Sequence, residues 1–356
     1  MEKKISHREF LKAAKDNQKA ATIAKLKYMN DCDEGIKRVK AGRSFKYTYK
    51  SKTVKDKTIL ERIKKLAIPP SWTNVWICPA ANGHIQATGL DLKGRKQYRY
   101  HAEWNSLRNE TKFHRLYEFG KALSKLRKKV KKDLAQKELT ESKVLAAVVK
   151  IMEQTYIRIG SNGYEKLYGS YGLTTLKDQH VEIKKDKVLF SFQGKKKISH
   201  EIILKDQKLA KIIRQCRDIP GKELFQYYTE DGQRKTIDSG MVNAYIHEAV
   251  GADFSAKDFR TWAGSAKAIE CLQNLNHPAS SVDTKKNIVS MLDEVSKKLG
   301  NTRNICKKYY VHPELISLYE QDKFFTSLEK SNSVEKNYNG LNISEKTLMH
   351  LLDKSL

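Results

Sequence analysis

The chain has 356 residues, which is long enough for two or three domains and argues against a small disulfide-stapled module. Hydrophobic residues make up 39% and charged residues 31%, a globular balance that argues against wholesale disorder and fibrous classes. The 69 Lys and Arg residues against 41 Asp and Glu residues leave a net charge of +28, which indicates a polyanionic partner, with nucleic acid the leading candidate.

Several other classes of protein find no support in the sequence. No stretch approaches the roughly 18 consecutive apolar residues of a membrane-spanning helix, and the N-terminus lacks the apolar core of a secretion signal. The cysteines are scattered without a CxxC pair, and neither an HExxH motif nor a Walker A loop occurs. We therefore expect a reducing compartment, no membrane association, no metal site and no cofactor.

Residues 1–110 have the pattern of a mixed, β-rich domain. A basic helical start precedes the strands, and a short helix is predicted from Ile59 to Leu66, ahead of a Pro-Pro pair. Strands are predicted around 45–49, 75–78, 84–88 and 97–100.

The last of these strands carries two tyrosines on one face. In Gln97-Tyr-Arg-Tyr100, alternation places Tyr98 and Tyr100 together and Arg99 on the opposite face. Such a surface either lies against bases and sugars or packs into the core, and the pattern alone leaves both interpretations open.

From about residue 111 the pattern is mostly helical, with one interruption. A helix is predicted from Phe113 to Leu134 and another after Thr140, ending near Arg158. Period-two segments then predict a small antiparallel sheet over 180–203, with Lys195 in its last turn. Further helices are predicted near 238–250, 255–272, 283–299 and 303–310. A polar tail begins after about residue 326 and ends in a short amphipathic piece around Leu348 to Leu352.

A capping box, Ser255 with Asp258, predicts the start of one of these helices. Lys257 and Arg260 then lie on one face of its first turn, beside the positive end of the helix dipole. This arrangement is either a site for a phosphate or an ordinary salt-bridged surface turn.

Other candidate residues are individually weak. Arg158 precedes a Gly-rich turn that would let a phosphate come close. Lys195 could reach into a groove or deliver a proton, or be simply solvated. Tyr309 and Tyr310, which follow a pair of lysines after Asn301, could be nucleophiles, core residues or neither.

Taken in chain order on a basic chain, Arg158, Lys195, Lys257-x-x-Arg260, Asn301 and Tyr310 form a set. This set resembles the poxvirus-type branch of type IB DNA topoisomerases, including its bacterial members. The resemblance covers nearly the whole chain and includes the motifs at 42–47, 66–72, 97–100, 156–160, 299–302 and 307–313. Asn301 stands where the viral members have a histidine, which favours the bacterial subgroup.

The resemblance implies an α+β fold. It would comprise a small β-rich N-terminal DNA-clamp domain over 1–110, a larger, mostly helical catalytic domain over 111–325 with a small antiparallel sheet, and a polar tail over 326–356. Tyrosine recombinases share that catalytic fold.

The implied activity is the relaxation of supercoiled double-stranded DNA by a monomeric clamp. It would proceed through a transient single-strand break and a covalent 3′-phosphotyrosyl intermediate, without ATP, metal or cofactor. Such an enzyme is expected in the cytoplasm, associated with the nucleoid if bacterial.

The resemblance also implies a role for each residue of the set. Tyr310 would be the nucleophile, with Tyr309 as its rival, and Arg158 and Arg260 would stabilise the transition state. Lys195 would be the general acid with Lys257 assisting, and Asn301 would donate a hydrogen bond to a phosphate oxygen. In the N-terminal domain, the residues that would touch DNA are Gln97, Tyr98 and Tyr100.

Two alternatives differ in class. A tyrosine recombinase or integrase shares the Arg, Lys, Arg, Tyr core, but recombinases usually have His where this chain has Lys257, and residues 1–110 look β-rich rather than helical. The other alternative is a non-enzymatic DNA-packaging protein, for which the net positive charge alone would be a sufficient explanation.

Overall fold

The computed structural model describes residues 5–42, 44–251, 253–275, 277–278, 280–332 and 338–354. The chain divides into two compact units, Met1–Arg115 and Leu116–Leu356. Arg43 of the motif at 42–47, and residues 333–337 and 355–356 of the expected tail, lie outside the described residues.

The first unit combines an antiparallel sheet with helices. The strands follow the order β3-β2-β1-β4-β5-β6, so β3 and β6 form its edges. Its elements are α1 (His7–Lys15), α2 (Asn17–Ile23), β1 (Ile36–Ala41), β2 (Ser44–Tyr49), β3 (Lys52–Thr53), α3 (Lys57–Lys65), β4 (Thr73–Ile77), β5 (Ile85–Leu90), β6 (Lys96–Tyr100) and α4 (Ala102–His114).

Two apolar clusters hold this unit together. Ile36, Ile77 and Ala87 from the sheet pack with Ile63 of α3 in one cluster. The other joins α1, α2 and α4 through side chains that include Phe10, Ala13, Ala20, Trp104 and Leu107. Burial of these faces stabilises a sheet whose outer strands are otherwise rich in lysine and arginine.

The second unit is mostly helical, as expected. Its elements are α5 (Leu116–Leu134), α6 (Glu141–Thr155), α7 (Asn162–Tyr168), β7 (Val181–Lys184), β8 (Lys187–Gln193), β9 (Ser199–Lys205), α8 (Gln207–Arg217), β10 (Gln226–Tyr228), β11 (Arg234–Thr236), α9 (Ser239–Val250), α10 (Ala256–Gln273), α11 (Ser281–Leu299), α12 (Arg303–Tyr309), α13 (Pro313–Glu320), α14 (Phe324–Asn332) and α15 (Ile343–Lys354). The expected small antiparallel sheet has the order β7-β8-β9. The α+β fold class is confirmed.

The core of this unit centres on α6, because apolar side chains cover nearly all of its circumference. Val144, Ala147, Val148 and Ile151 are fully buried. A helix that is apolar on all sides must be surrounded by other elements, and α5, α8, α9 and α10 pack against it. Its C-terminal end is therefore held in a fixed place.

The predicted helix from Phe113 to Leu134 is two helices in the structure. α4 ends at His114 and α5 begins at Leu116, with Arg115 as the C-cap of α4. Phe113 and Leu116 are both buried. These two buried residues are three positions apart, a helical spacing that hid the break between α4 and α5.

The described part of the expected polar tail over 326–356 contains the end of α14 and all of α15. α15 buries Leu348, Met349 and Leu352 and packs against α5 and α10. The amphipathic piece expected around 348–352 lies within α15, and so short a helix derives its stability from tertiary packing.

The described residues contain neither a membrane-spanning helix nor a cluster of metal ligands. No described helix is long and apolar enough to cross a membrane. Within the same residues, no group of three or more His, Cys, Asp or Glu side chains is arranged to hold a metal ion.

Candidate active site

A cavity of about 330 Å³ in the second unit is lined by most of the predicted catalytic side chains. These are Arg158, Lys195, Lys257, Arg260 and Tyr310. Its described lining includes four cationic side chains and no carboxylate, so the cavity has the charge expected for binding a phosphate.

Arg158 lies just beyond the end of α6. Tyr156 ends that helix in the left-handed conformation, with φ of 57°, and turns the chain toward the cavity. The Nη2 of Arg158 donates to Oδ1 of Asn301 at 2.7 Å. Burial, followed by the positive charge of Arg260, lowers the pKa of Arg158 to about 10, because both disfavour its charged form.

Arg260 lies in the first turn of α10 and is only 6% exposed. The capping box forms as predicted, since the backbone N–H of Ser255 donates to the Asp258 carboxylate at 2.8 Å. The guanidinium donates to the carbonyl of Tyr156 through Nη1 and to that of Leu299 through Nη2, the latter at 2.5 Å. Its buried Nε has no hydrogen-bond partner in the part of the chain that the structure describes.

Tyr310 follows α12 and approaches both α10 and Arg260. Its ring centroid lies 5.3 Å from Cζ of Arg260, and its carbonyl accepts a hydrogen bond from Oγ of Ser265 at 3.1 Å. A Cβ at Gly264 would lie 2.6 Å from the Tyr310 carbonyl oxygen, so the glycine allows this approach.

Asn301 does not line the cavity, but it contacts Arg158 directly. Gly300 ends α11 with φ of 57° and directs Asn301 toward Arg158. The Nδ2 of Asn301 is 3.4 Å from the carbonyl of Leu299, a long hydrogen bond that leaves this donor weakly engaged.

The two lysines are the exposed members of the set. Lys195 lies in a short 3-10 turn between β8 and β9, and its Nζ is 5.8 Å from the ring centroid of Tyr164. Lys257, on α10, is exposed and forms no ion pair with any described residue, which argues against the salt-bridged surface turn that the sequence left open.

Tyr309, the rival nucleophile, does not line this cavity. Its side chain is 37% exposed, and Nζ of Lys308 lies 5.4 Å from its ring centroid. The geometry therefore favours Tyr310 over Tyr309.

His200 is a neighbour of the site that the sequence analysis did not single out. A Cβ added to Gly194 would lie 2.5 Å from its ring, and one added to Gly300 would lie 2.4 Å from it. Burial, then the charges of Arg158 and Arg260, lowers the pKa of His200. In the sequence, His200 fits the alternating pattern of β9 like any other strand residue. The signal that could have identified it is its position next to the turn that carries Lys195.

In the first unit, β6 presents its two tyrosines to solvent. Tyr98 and Tyr100 are 43% and 37% exposed, and their rings stack with centroids 5.7 Å apart. Gln97 donates to Asp91 at 2.9 Å. The interpretation of both tyrosines as core residues is wrong, and contact with DNA stays a prediction. Tyr28, which the sequence analysis missed, is also exposed and stacks on His84.

Comparison with known proteins gives consistent matches. Residues 98–337 match the family described as eukaryotic DNA topoisomerase I, catalytic core, and residues 44–91 match the bacterial DNA topoisomerase IB N-terminal domain. DNA topoisomerase 1B of Acanthamoeba polyphaga mimivirus is 32% identical over 314 residues, covering 85% of this chain and 93% of that protein. DNA topoisomerase I of Monkeypox virus is 26% identical over 287 residues, covering 78% of this chain and 87% of that protein.

Proposed function

The chain belongs to the type IB DNA topoisomerase family, and from this premise we propose how its residues divide the work of breaking and rejoining one DNA strand. The observation that carries the proposal is the single cavity lined by Arg158, Lys195, Lys257, Arg260 and Tyr310. The enzyme is an isomerase, so every bond that it breaks must be remade in the same site.

Tyr310 is the nucleophile in this proposal. Its phenolic oxygen attacks a backbone phosphorus, the bond from phosphorus to the 5′-oxygen breaks, and a 3′-phosphotyrosyl bond forms while the phenolic proton is lost. The free 5′-hydroxyl strand then rotates and attacks the phosphotyrosine in the reverse step. Because the covalent bond conserves the energy of the broken phosphodiester, the cycle needs no ATP.

Arg158 and Arg260 stabilise the negative charge that gathers on the non-bridging oxygens. Guanidiniums present paired donors that suit phosphate oxygens. Arg260 uses Nη1 and Nη2 on backbone carbonyls, which fixes its plane before DNA binds. Preorganised donors of this kind lower a barrier without reorganising during the reaction.

Lys195 protonates the leaving 5′-oxygen, and Lys257 assists. Both are exposed side chains that line the same cavity, where a proton donor can reach the leaving oxygen of bound DNA. Asn301 donates through Nδ2 to a phosphate oxygen while its Oδ1 holds Arg158. As an amide it adds no charge, in contrast to a protonated histidine.

The substrate is double-stranded DNA, which the protein encloses as a monomer. Gln97, Tyr98 and Tyr100 contact it from the first unit. The net charge of +28 supports binding through phosphates, with strong salt dependence and little direct reading of sequence. The enzyme acts on this DNA in the cytoplasm, associated with the nucleoid if the protein is bacterial.

Relaxation of supercoiled plasmid in EDTA without ATP tests this proposal. We expect wild type to relax the plasmid and to leave a 3′-linked adduct on Tyr310 when stopped with denaturant. Tyr310→Phe should lose both, whereas the matched variant Tyr309→Phe should keep both. DNA binding without relaxation, or an adduct mapped to Tyr309, would overturn it.

The role of Lys195 has its own test. Replacing the leaving 5′-oxygen with sulfur makes a leaving group that needs no proton. Lys195→Ala should therefore cleave ordinary DNA on the order of a hundredfold more slowly but cleave the sulfur substrate at nearly the wild-type rate. An equal defect on both substrates would exclude Lys195 as the general acid.

A further inference from the structure

Glu345 of α15 is a buried carboxylate with an unusually complete set of partners. It is 5% exposed, and its two oxygens accept from Nη2 and Nη1 of Arg127 at 2.8 and 2.9 Å. The indole Nε1 of Trp262 donates to the same carboxylate at 3.0 Å, and the backbone N–H of Asn342 at 2.9 Å. Burial alone would raise the pKa of Glu345, but Arg127 and then Trp262 outweigh it and lower the pKa.

One of these partners lies on the helix that carries Arg260, and another contacts the helix that precedes Arg158. Trp262 lies on α10 in the turn that follows Arg260. Arg127, on α5, also donates to Glu153 at 2.5 Å, and Glu153 lies in the last turn of α6, just before Arg158. The Glu345 carboxylate thus connects α10 to α6 through Arg127.

Three helices around this network are in close contact at Gly120. A Cβ at Gly120 of α5 would lie 2.2 Å from Sδ of Met349 and 2.5 Å from Cη2 of Trp262, so α5, α10 and α15 approach without a gap. A small cavity of about 190 Å³ beside them is lined by Arg127, Glu153, Trp262 and Glu345. α15 itself lies beyond residues 98–337, the part of the chain that matches the catalytic core of the family.

We propose that Glu345 is a positioning residue of the active site, which fixes the ends of α6 and α10 and thereby the spacing of Arg158 and Arg260. The inference rests on the proposed function, because that function assigns both arginines to one phosphate. A buried ion pair adds little net stability, since desolvation offsets its attraction. The ion pair does, however, favour one arrangement of the helices that it joins. This matters because a misplacement of about 1 Å at an active site can lower the rate on the order of a hundredfold.

The test replaces Glu345 by glutamine in the full chain. The amide keeps the volume and one acceptor but removes the charge that Arg127 requires. We expect Glu345→Gln to form the Tyr310 adduct between about tenfold and a hundredfold more slowly in single-turnover reactions, at a temperature where it is fully folded. DNA affinity, measured with Tyr310→Phe added to both proteins, should be unchanged.

Asp353→Asn is the matched control. Asp353 is a carboxylate on the same helix, it accepts from the hydroxyl of Tyr117 on α5 at 2.9 Å, and an amide oxygen can still accept that bond. The Asp353→Asn protein should cleave DNA at the wild-type rate. If Glu345→Gln does not fold, Arg127→Lys, which keeps the charge but loses the bidentate geometry, should give the same defect in cleavage without loss of DNA affinity.

The outcomes separate the two proposals. A Glu345→Gln protein that melts at a lower temperature but cleaves as fast as wild type would show that Glu345 is merely structural and would overturn its positioning role alone. If wild type itself forms no Tyr310 adduct, the proposed function fails, and the positioning role fails with it.

Discussion

Arg158 and Asn301 are joined by a hydrogen bond of 2.7 Å between Nη2 and Oδ1. The amide oxygen of Asn301 therefore accepts from Arg158, while Nδ2 has only a long contact of 3.4 Å to the carbonyl of Leu299. One neutral side chain can thus orient a guanidinium and still offer a donor to a phosphate oxygen.

Asn301→Asp should slow cleavage more than Asn301→Ala. The aspartate keeps an acceptor for Arg158, but it replaces the Nδ2 donor with negative charge beside the reacting phosphate. We expect a loss on the order of a hundredfold or more for Asn301→Asp and roughly tenfold for Asn301→Ala. Single-turnover formation of the Tyr310 adduct measures both. A smaller loss in the aspartate variant would mean that orienting Arg158 matters more than contact with the phosphate.

Arg158→Met should abolish cleavage but raise the melting temperature of the second unit. Burial and Arg260 lower the pKa of Arg158 from 12.5 to about 10, so its charged form is less favourable in the folded protein than in the unfolded chain. This cost is present in full below pH 10, and it fades only as the pH rises from 10 toward 12.5. Methionine of similar length removes it, and we expect an increase of about 2–4 °C at neutral pH.

Inorganic sulfate provides the control for Arg158→Met. An anion that binds between the two arginines stabilises the folded state by mass action, so sulfate should raise the melting temperature of wild type more than that of the variant. A variant that melts below wild type without sulfate would show that the contact with Asn301 outweighs the repulsion from Arg260.

Local signals in the sequence mark some members of the predicted catalytic set, and only the resemblance to a family assigns the others. The capping box of Ser255 starts the helix of Arg260, and a Gly-rich turn follows Arg158. Side chains that act through long-range contact carry no such signal. Glu345 lies in a stretch whose composition resembles a tail, and its partners Arg127 and Trp262 are far away along the chain, so only the folded helices bring them together.

The stability of the first unit should fall as the pH decreases from 6.5 toward 4, because of His114. Its ring stacks on Phe10 at 4.0 Å and lies beside His7. Burial, then the charge of His7, lowers the pKa of His114 from 6.5 to about 4. In this window the unfolded chain binds a proton that the folded state does not, so stability is full above pH 6.5 and is lost on acidification.

Urea unfolding of wild type and His114→Phe at several pH values from 7 to 4.5 measures this effect. The phenylalanine keeps the stack on Phe10. The slope of the free energy of unfolding against pH gives the number of protons taken up on unfolding, and this number should decrease by up to one. An unaltered slope in His114→Phe would assign the acid sensitivity to other groups.

Gly264→Ala should impair cleavage by displacing Tyr310. The new Cβ would lie 2.6 Å from the carbonyl oxygen and 2.8 Å from Cβ of Tyr310, and neither atom belongs to the flexible end of a side chain. The segment that carries the nucleophile must therefore move away from α10, which also strains the hydrogen bond from Ser265 to the Tyr310 carbonyl. We expect adduct formation to slow by on the order of a hundredfold, since reacting atoms must align within about 1 Å.

Gly163→Ala is the matched control for Gly264→Ala. Gly163 also lies within a helix, α7, but its added Cβ would meet nothing closer than Oγ of Ser161 at 3.8 Å. Alanine there should leave cleavage unchanged and stabilise the protein by about 0.4–1 kcal/mol, because it lowers the entropy of the unfolded chain. If Gly264→Ala cleaves as fast as Gly163→Ala, Tyr310 does not need its close approach to α10, and the nucleophile is positioned by α12 alone.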